Sequence, residues 1–311
     1  MIVYCACLKK MIKLAHIINP VNAPAGSELH RVQPVTLESI RRARAFTEVE
    51  VDVRLYAVGY EEDREVIPAF FEVLPDLDRS VLELGSFTKK KKLPLIGDIL
   101  RRLYEHTDSE WLIYSNADIC LMPQFYGAVA GMIAGGHDAM IITRRRISKV
   151  YDSPDKLLMM YSEIGGYHPG YDTFVFHRSL LDKFILDNIC IGVPFIEVTM
   201  LHNFIAFAKS LRHVDDLHLT FHIGMEVMPP IDQEYYRYNR NIYEQSILPA
   251  LRPHLDISRF PHAALPLYRR MLKWMLNPCF STALMLELEG KKLPRRIKMM
   301  MDEIRWKLLS R

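Results

Sequence analysis

Short, continuous apolar runs alternate with amphipathic stretches along the first half of the chain. KLAHIIN (13–19), VDVRLYAVG (51–59), SVLELG (80–85), WLIYS (111–115) and DAMIITR (138–144) have the length of strands and little polar character, the pattern of strands buried on both faces. Between them, VTLESIRRARAF (35–46) places Val35, Ile40 and Ala43 behind Pro34. LPLIGDILRRLYEHT (93–107) spaces Ile96, Ile99, Leu100 and Leu103 as a helix behind Pro94. Proline in a first helical turn is preorganised for that position. EVIPAFFEVL (65–74) and FYGAVAGMIAGG (125–136), the latter closed by two glycines, complete the predicted helices. About five strand and helix alternations with short connections predict an α/β fold, a mostly parallel sheet sandwiched by helices.

The rhythm changes after Arg146. A glycine-bearing loop (165–170) precedes the strand DTFVF (172–176), a helix is predicted from Ser179, VPFIEVTMLHNFIAFAKSL (193–211) reads as a long apolar helix, and DDLHLTFHIG (215–224) as a strand. A helical extension is predicted from about Pro229, which divides the chain into a sheet domain over 1–228 and an extension over 229–311.

Composition adds boundaries. With 311 residues, half of them hydrophobic, and a mean hydropathy of zero, the chain can bury a large core. Its five cysteines form no CxxC pair and no regular framework, so neither a zinc site nor a disulfide scaffold is expected and a reducing cytoplasm fits best. The opening MIVYCACLKK lacks the charge order and apolar length of a signal peptide, and no run long enough for a transmembrane helix follows. The net charge of +3 conceals an asymmetry, because residues 262–311 carry eleven Lys or Arg against four Asp or Glu. The remainder is net acidic and shows no aromatic-basic motif, so nucleic acid is not an expected partner.

The chemically informative stretch is WLIYSNADIC, where a buried strand runs into Asn116-Ala117-Asp118. A carboxylate with a neighbouring amide oxygen at a strand's carboxyl end can hold Mg²⁺ or Mn²⁺ against a diphosphate, and the ion would neutralise charge on that leaving group. An Asx turn with a helix cap before Pro123 is the competing reading. SNADI at the end of a hydrophobic strand resembles the DxD motif of GT-A glycosyltransferases, with Asn116 in the place of the first aspartate. KLPLIGDILRRLYEHTDSEWLIYSNADI is similar to the helix and strand that lead into that motif, and the resemblance covers roughly residues 13–225. It implies a GT-A-like nucleotide-diphospho-sugar transferase fold. HPGYDTFVFHRSLL (168–181) resembles the acceptor-side segment, which implies that Asp172 acts as the base on an acceptor hydroxyl or binds donor sugar hydroxyls. His222, on a strand it shares with His218 and Thr220, stands where a late histidine completes the metal shell in several GT-A enzymes. Asn19 and Gln33 fall where contacts to the nucleotide base are implied by fold position alone.

Two basic clusters are candidates for the diphosphate, Lys89 to Lys92 before the helix at Pro94 and Arg144 to Arg146 after the strand DAMIITR; Lys92, Arg144 and Arg146 are the selected residues. Solvated surface is the ordinary role of such runs. The expected function is metal-assisted transfer of a sugar from a nucleotide-diphosphate donor to a saccharide or lipid-linked acceptor hydroxyl, in bacterial surface polysaccharide synthesis. A sugar nucleotidyltransferase and a non-catalytic scaffold on the same fold are the alternatives. NPVNAPAGSELHR, with one glycine, lacks the glycine-rich basic loop of the former. In the tail, Ile297, Met300, Met301, Ile304 and Leu308 share a helical face flanked by Lys298, Arg305 and Lys307. Packing on the protein or a second subunit is the expected use of that face, and peripheral contact with the inner face of the membrane the other.

Overall fold

The computed structural model describes residues 11–47, 50–151, 153–225, 232–277 and 280–291. Nine strands form one curled sheet: β1 (Ile12–Ile18), β2 (Val51–Ala57), β3 (Glu72–Val73), β4 (Trp111–Ser115), β5 (Ile119–Leu121), β6 (Ala139–Ile147), β7 (Gly166–His177), β8 (Leu211–Val214) and β9 (Thr220–Ile223). Their order is β3-β2-β1-β4-β7-β6-β9-β5, with β8 also on β6. The first four run parallel, whereas β7 lies antiparallel between β4 and β6. The first half of β6 pairs with β8 and its second half with β9, so the sheet forks there.

Helices α1 (Glu28–Ala45), α2 (Ile96–His106), α3 (Phe125–Ala134), α4 (Leu157–Ser162), α5 (Ile196–Phe207), α6 (Gln233–Ile242), α7 (Leu248–Leu251), α8 (Leu267–Met275) and α9 (282–291) cover the sheet. Alternate residues of one strand face opposite sides. Leu14 and Ile18 therefore join α1 and α3 in one core, while Ala15 and Ile17 join α2 and α5 in the other. The mixed, mostly parallel sheet between helices is the α/β architecture that the sequence predicts.

Several elements differ from the sequence expectation, each for a local reason. α1 starts at Glu28 because the Ser27 hydroxyl accepts from the His30 N–H at 3.2 Å; Pro34 sits inside the helix, not at its start. EVIPAFFEVL forms no α-helix, since Pro68 breaks it and Glu72–Val73 pair with β2 as the third parallel strand. SVLELG is a single 3₁₀ turn, closed by a capping box in which Ser80 and Glu83 satisfy each other's backbone N–H groups. The helix expected at Ser179 is likewise 3₁₀, and β8 is a strand that the periodicity concealed. β7 reaches back through the predicted loop to Gly166.

The described part of the extension packs into the sheet's own core, while the tail face from Ile297 to Leu308 lies outside the described residues. Tyr243, Leu251, Trp274, Phe280 and Leu288 share one apolar cluster with Ala15, Tyr114 and the inward face of α5. α6 also grips the loop before α2. Glu234 accepts from the Thr88 N–H at 2.8 Å, the Lys91 N–H donates to the Tyr235 hydroxyl at 2.7 Å, and Lys91 pairs with Asp232. Because Trp274 is fully buried in that shared cluster, Trp274→Ala is expected to cost about 3–5 kcal/mol and to lower one cooperative melting transition for the whole chain. A separate low-temperature transition for the extension in differential scanning calorimetry would contradict this.

Candidate active site

The strand pairing explains how residues distant in sequence meet. β4 and β7 are antiparallel with Ser115 opposite Thr173, so the next residue of one strand, Asn116, faces the preceding residue of the other, Asp172. The Asn116 N–H donates to the Asp172 carbonyl and its Nδ2 to Asp172 Oδ1, both at 3.4 Å, while the Tyr114 hydroxyl donates to Asn116 Oδ1 at 3.1 Å. The Asn-Ala-Asp sequence is a tight turn closed by the Ile119 N–H on the Asn116 carbonyl at 3.1 Å. It hands the chain from β4 to β5.

β5 pairs with β9, placing Ile119 opposite His222. Asp118 is thereby brought to His222, with Oδ2 and Nε2 3.3 Å apart. Burial alone would raise the Asp118 pKa; the hydrogen bond and charge of His222, joined by the charge of Arg144, bring it below the usual value. On the other side, the β6–β7 register shifts between Ile142 and Thr143 and again between Thr143 and Arg145. Arg144 lies in that bulge, and a bulge re-aims the side chain it carries. Its guanidinium reaches Asp172 Oδ1 in an almost fully buried ion pair. Asp172 Oδ2 is buried without a hydrogen-bond partner among the described residues. Burial raises the Asp172 pKa, Arg144 opposes the rise, and the negative charge of Asp118 adds to it.

Two residues that the sequence reading passed over belong here. Glu197 is in the first turn of α5, behind Phe195, which takes the left-handed conformation at φ 86°; a non-glycine residue there is strained, a condition that clusters at functional sites. Burial and the negative charge of Asp172 push the Glu197 carboxyl up to about 7, against the backbone N–H groups of Glu197 and Phe195 and the charge of Arg144. The lone acid within the apolar run IGVPFIEVTML was the available signal. His168, on β7, is buried with Nδ1 unpartnered among the described residues. Burial first, and then Arg144, Arg146 and His222, hold it neutral with a pKa of about 3.

The remaining candidates lie along the same carboxyl edge of the sheet but outside this cluster. Asn19 Nδ2 donates to the Val58 carbonyl at 2.6 Å, tying the ends of β1 and β2. Gln33 spends both ends of its amide on the Val21 backbone and lines a cleft of about 410 Å³ between α1 and residues 66–70. Lys92 lies over the Tyr60 ring at 3.9 Å and pairs with Glu62 at 2.8 Å. Arg146 donates to the Tyr167 and Met225 carbonyls. Asn116, Asp118, Arg144, Asp172 and His222 are thus brought together, whereas Asn19, Gln33 and Lys92 form a second group near the ends of β1 and β2.

The described residues hold no group of three or more His, Cys, Asp or Glu able to cage a metal. Asp118 and His222 nevertheless fit a site completed by substrate oxygens. Two adjacent ligands of an octahedral ion with bonds of about 2.1 Å lie about 3 Å apart, close to the observed 3.3 Å. Around them, Arg144 is the positive charge that acts on Asp118, Asp172 and Glu197 alike, and a bound cation would add to it in this carboxyl-rich site.

No protein-family model matches the sequence, and no curated protein matches it. Among solved structures, the chain is similar to S. aureus TarS (residues 1–349) in complex with UDP-GlcNAc, with a TM-score of 0.45 and 11% identity over 91% of this chain and 73% of that one. It is also similar to the glucosyl-3-phosphoglycerate synthase of Mycobacterium tuberculosis in complex with Mn²⁺, UDP and phosphoglyceric acid, with a TM-score of 0.43 and 14% identity over 78% of this chain and 80% of that one.

The buried pair gives a direct test. Arg144→Met strands the Asp172 carboxyl and is expected to cost about 3–5 kcal/mol of stability, and adding Asp172→Asn should recover a large part of it. Urea denaturation of the two single variants and the double variant reads the coupling; strictly additive losses would show that the two side chains do not act as a pair.

Proposed function

We propose that the chain transfers a sugar from a nucleoside-diphosphate donor to an acceptor hydroxyl. The observation that carries this reading is the cluster at the strand ends, in which Asp118 lies 3.3 Å from His222 and Asn116 and Arg144 both hold Asp172; within it Asp118 is held below its ordinary pKa and Glu197 is lifted to about 7. Titratable groups pushed apart by their surroundings take different roles in catalysis. Asp118, ionised and paired with His222, suits cation binding. Glu197, poised near neutrality, suits proton abstraction.

In this scheme Asp118 and His222 hold Mn²⁺ or Mg²⁺, and Asn116 keeps the turn in place. When bound, the ion supplies charge neutralisation for the departing diphosphate. Arg144 adds fixed positive charge and orients Asp172, whose free Oδ2 accepts a hydroxyl of the donor sugar. Glu197 takes the proton from the acceptor hydroxyl as its oxygen bonds to the anomeric carbon and the bond to the diphosphate oxygen breaks. The nucleoside lies toward the ends of β1 and β2, by Asn19, Gln33 and Lys92, and Arg146 braces the start of β7.

Two experiments test this. Calorimetric titration with UDP, GDP, CDP and dTDP sugars should show binding that requires Mn²⁺ or Mg²⁺ and disappears in Asp118→Ala; affinity unchanged by chelator would refute the metal role. Transfer should rise with pH through about 7, because the Glu197 carboxyl is protonated below that value and cannot accept a proton. Glu197→Gln should lower turnover by about 10²- to 10⁴-fold with donor affinity retained. A pH profile that keeps its rising limb in Glu197→Gln would assign the base elsewhere.

A further inference from the structure

α8 buries one side and leaves the opposite side bare. Trp274 donates its indole N–H to the Pro261 carbonyl at 2.7 Å, and the buried Arg270 pairs with Glu289 on α9 at 2.6 Å. At about 100° per residue, Tyr268, Leu272, Met275 and Leu276 fall on one outward stripe, and they are 69%, 53%, 61% and 71% exposed. Arg269 and Lys273 run along one edge of that stripe. α8 contains no acidic residue, and neither cation has a carboxylate partner among the described residues.

We propose that this face of α8 docks on an anionic bilayer and brings the site to a lipid-linked acceptor. The acceptor half of the proposal rests on the transferase reading; the docking half does not. A bare apolar stripe of this kind marks an interaction surface, and the charges decide for what. A second copy related by a two-fold axis would set Arg269 and Lys273 near their own counterparts with no acid to offset them. A bilayer with anionic headgroups satisfies both stripes. Leucine and methionine enter the acyl boundary, tyrosine sits at the interface, and the basic side chains extend to the phosphates. No helix among the described residues is long and apolar enough to cross a membrane, so this contact is peripheral.

The face is joined to the acceptor side of the site. Asn277, two residues beyond α8, donates to the Pro169 carbonyl at 3.1 Å; Pro169 adjoins His168 and lies three residues before Asp172. The chain leading into that strand also exposes apolar residues, with Leu158 and Met159 on α4 and Ile164 after it 72%, 58% and 79% accessible. A docked α8 therefore holds the start of β7 near the membrane surface, where the hydroxyl of a lipid-linked saccharide is presented.

The test is sedimentation of the full chain with phosphatidylcholine vesicles, with and without phosphatidylglycerol. Binding is expected only with the anionic lipid, weakening as salt shortens the Debye length below its physiological value of about 8 Å. Leu272→Glu/Met275→Glu should reduce binding roughly tenfold or more, with thermal stability and donor affinity preserved because both positions are exposed. Arg269→Gln/Lys273→Gln should flatten the salt dependence. Failure of the wild type to sediment, undiminished binding in Leu272→Glu/Met275→Glu, or a dimer that those substitutions dissolve would each overturn the proposal. So would binding that survives them and disappears in Ile304→Glu/Leu308→Glu, which would assign the contact to residues 292–311. Asp118→Ala should still sediment; its donor affinity reports on the transferase reading alone, so the two ideas fail separately.

Discussion

One guanidinium, that of Arg144, is shared by the acidic groups of the site. It pairs with Asp172 away from water, and its charge reaches Asp118 and Glu197 as well. A charge is expensive to bury unless it is paired, so the arginine and Asp172 require each other. The backbone reflects that requirement. β7 must run antiparallel between β4 and β6 to set Asp172 beside Asn116, and β6 must bulge at Arg144 to direct its side chain there. The fork of β6, which frees its second half to pair with β9, then delivers His222 to Asp118.

The rest of the site's electrostatics follows from this shortage of positive charge. With one fixed cation facing three carboxyls among the described residues, burial and the negative charge of Asp172 lift Glu197 to about 7. The better compensated Asp118 stays ionised. His168 is kept neutral chiefly by its burial, with the positive charge of Arg144 and Arg146 and the nearby His222 adding to it. The protonation states are thus one coupled arrangement, in which a new charge at any position redistributes the others.

Elements whose reasons are local were readable from the sequence. WLIYS is a strand over the residues its apolar run spans, and the helix spacing of Ile96, Ile99, Leu100 and Leu103 is α2. Asn116, Asp118, Asp172 and His222 were selected by type and by position at strand ends, and they meet. Local signals failed where two of them competed. Pro34 was read as a helix start although Gly26-Ser27-Glu28, upstream, carries the cap. The branched and apolar residues of SVLELG read as a strand, but the Ser80–Glu83 pair closes a turn first. The partner of Arg144 could not be read at all, since the choice between a solvated cluster and a buried ion pair depends on an antiparallel register and a bulge. Glu197 was missed because an acid in a first helical turn ordinarily faces water and complements the helix dipole, and only the packing around α5 makes it something else.

The grip of α6 on residues 88–91 has a consequence for how the molecule comes into being. Thr88 and Glu234 are 146 residues apart, so the loop that carries Lys92 lacks this anchor until the ribosome has made α6. Strands β1 to β4, which pair in parallel with one another, can assemble before that. The contacts of the basic loop with α6 wait for a segment synthesised after β9. At synthesis rates of about 5–20 residues per second, the roughly 120 residues between Ser115 and Glu234 leave about 6–24 seconds in which a nascent chain presents β1 to β4 without this anchor of the loop. The anchoring of this loop on α6 therefore follows the assembly of the strands beside it.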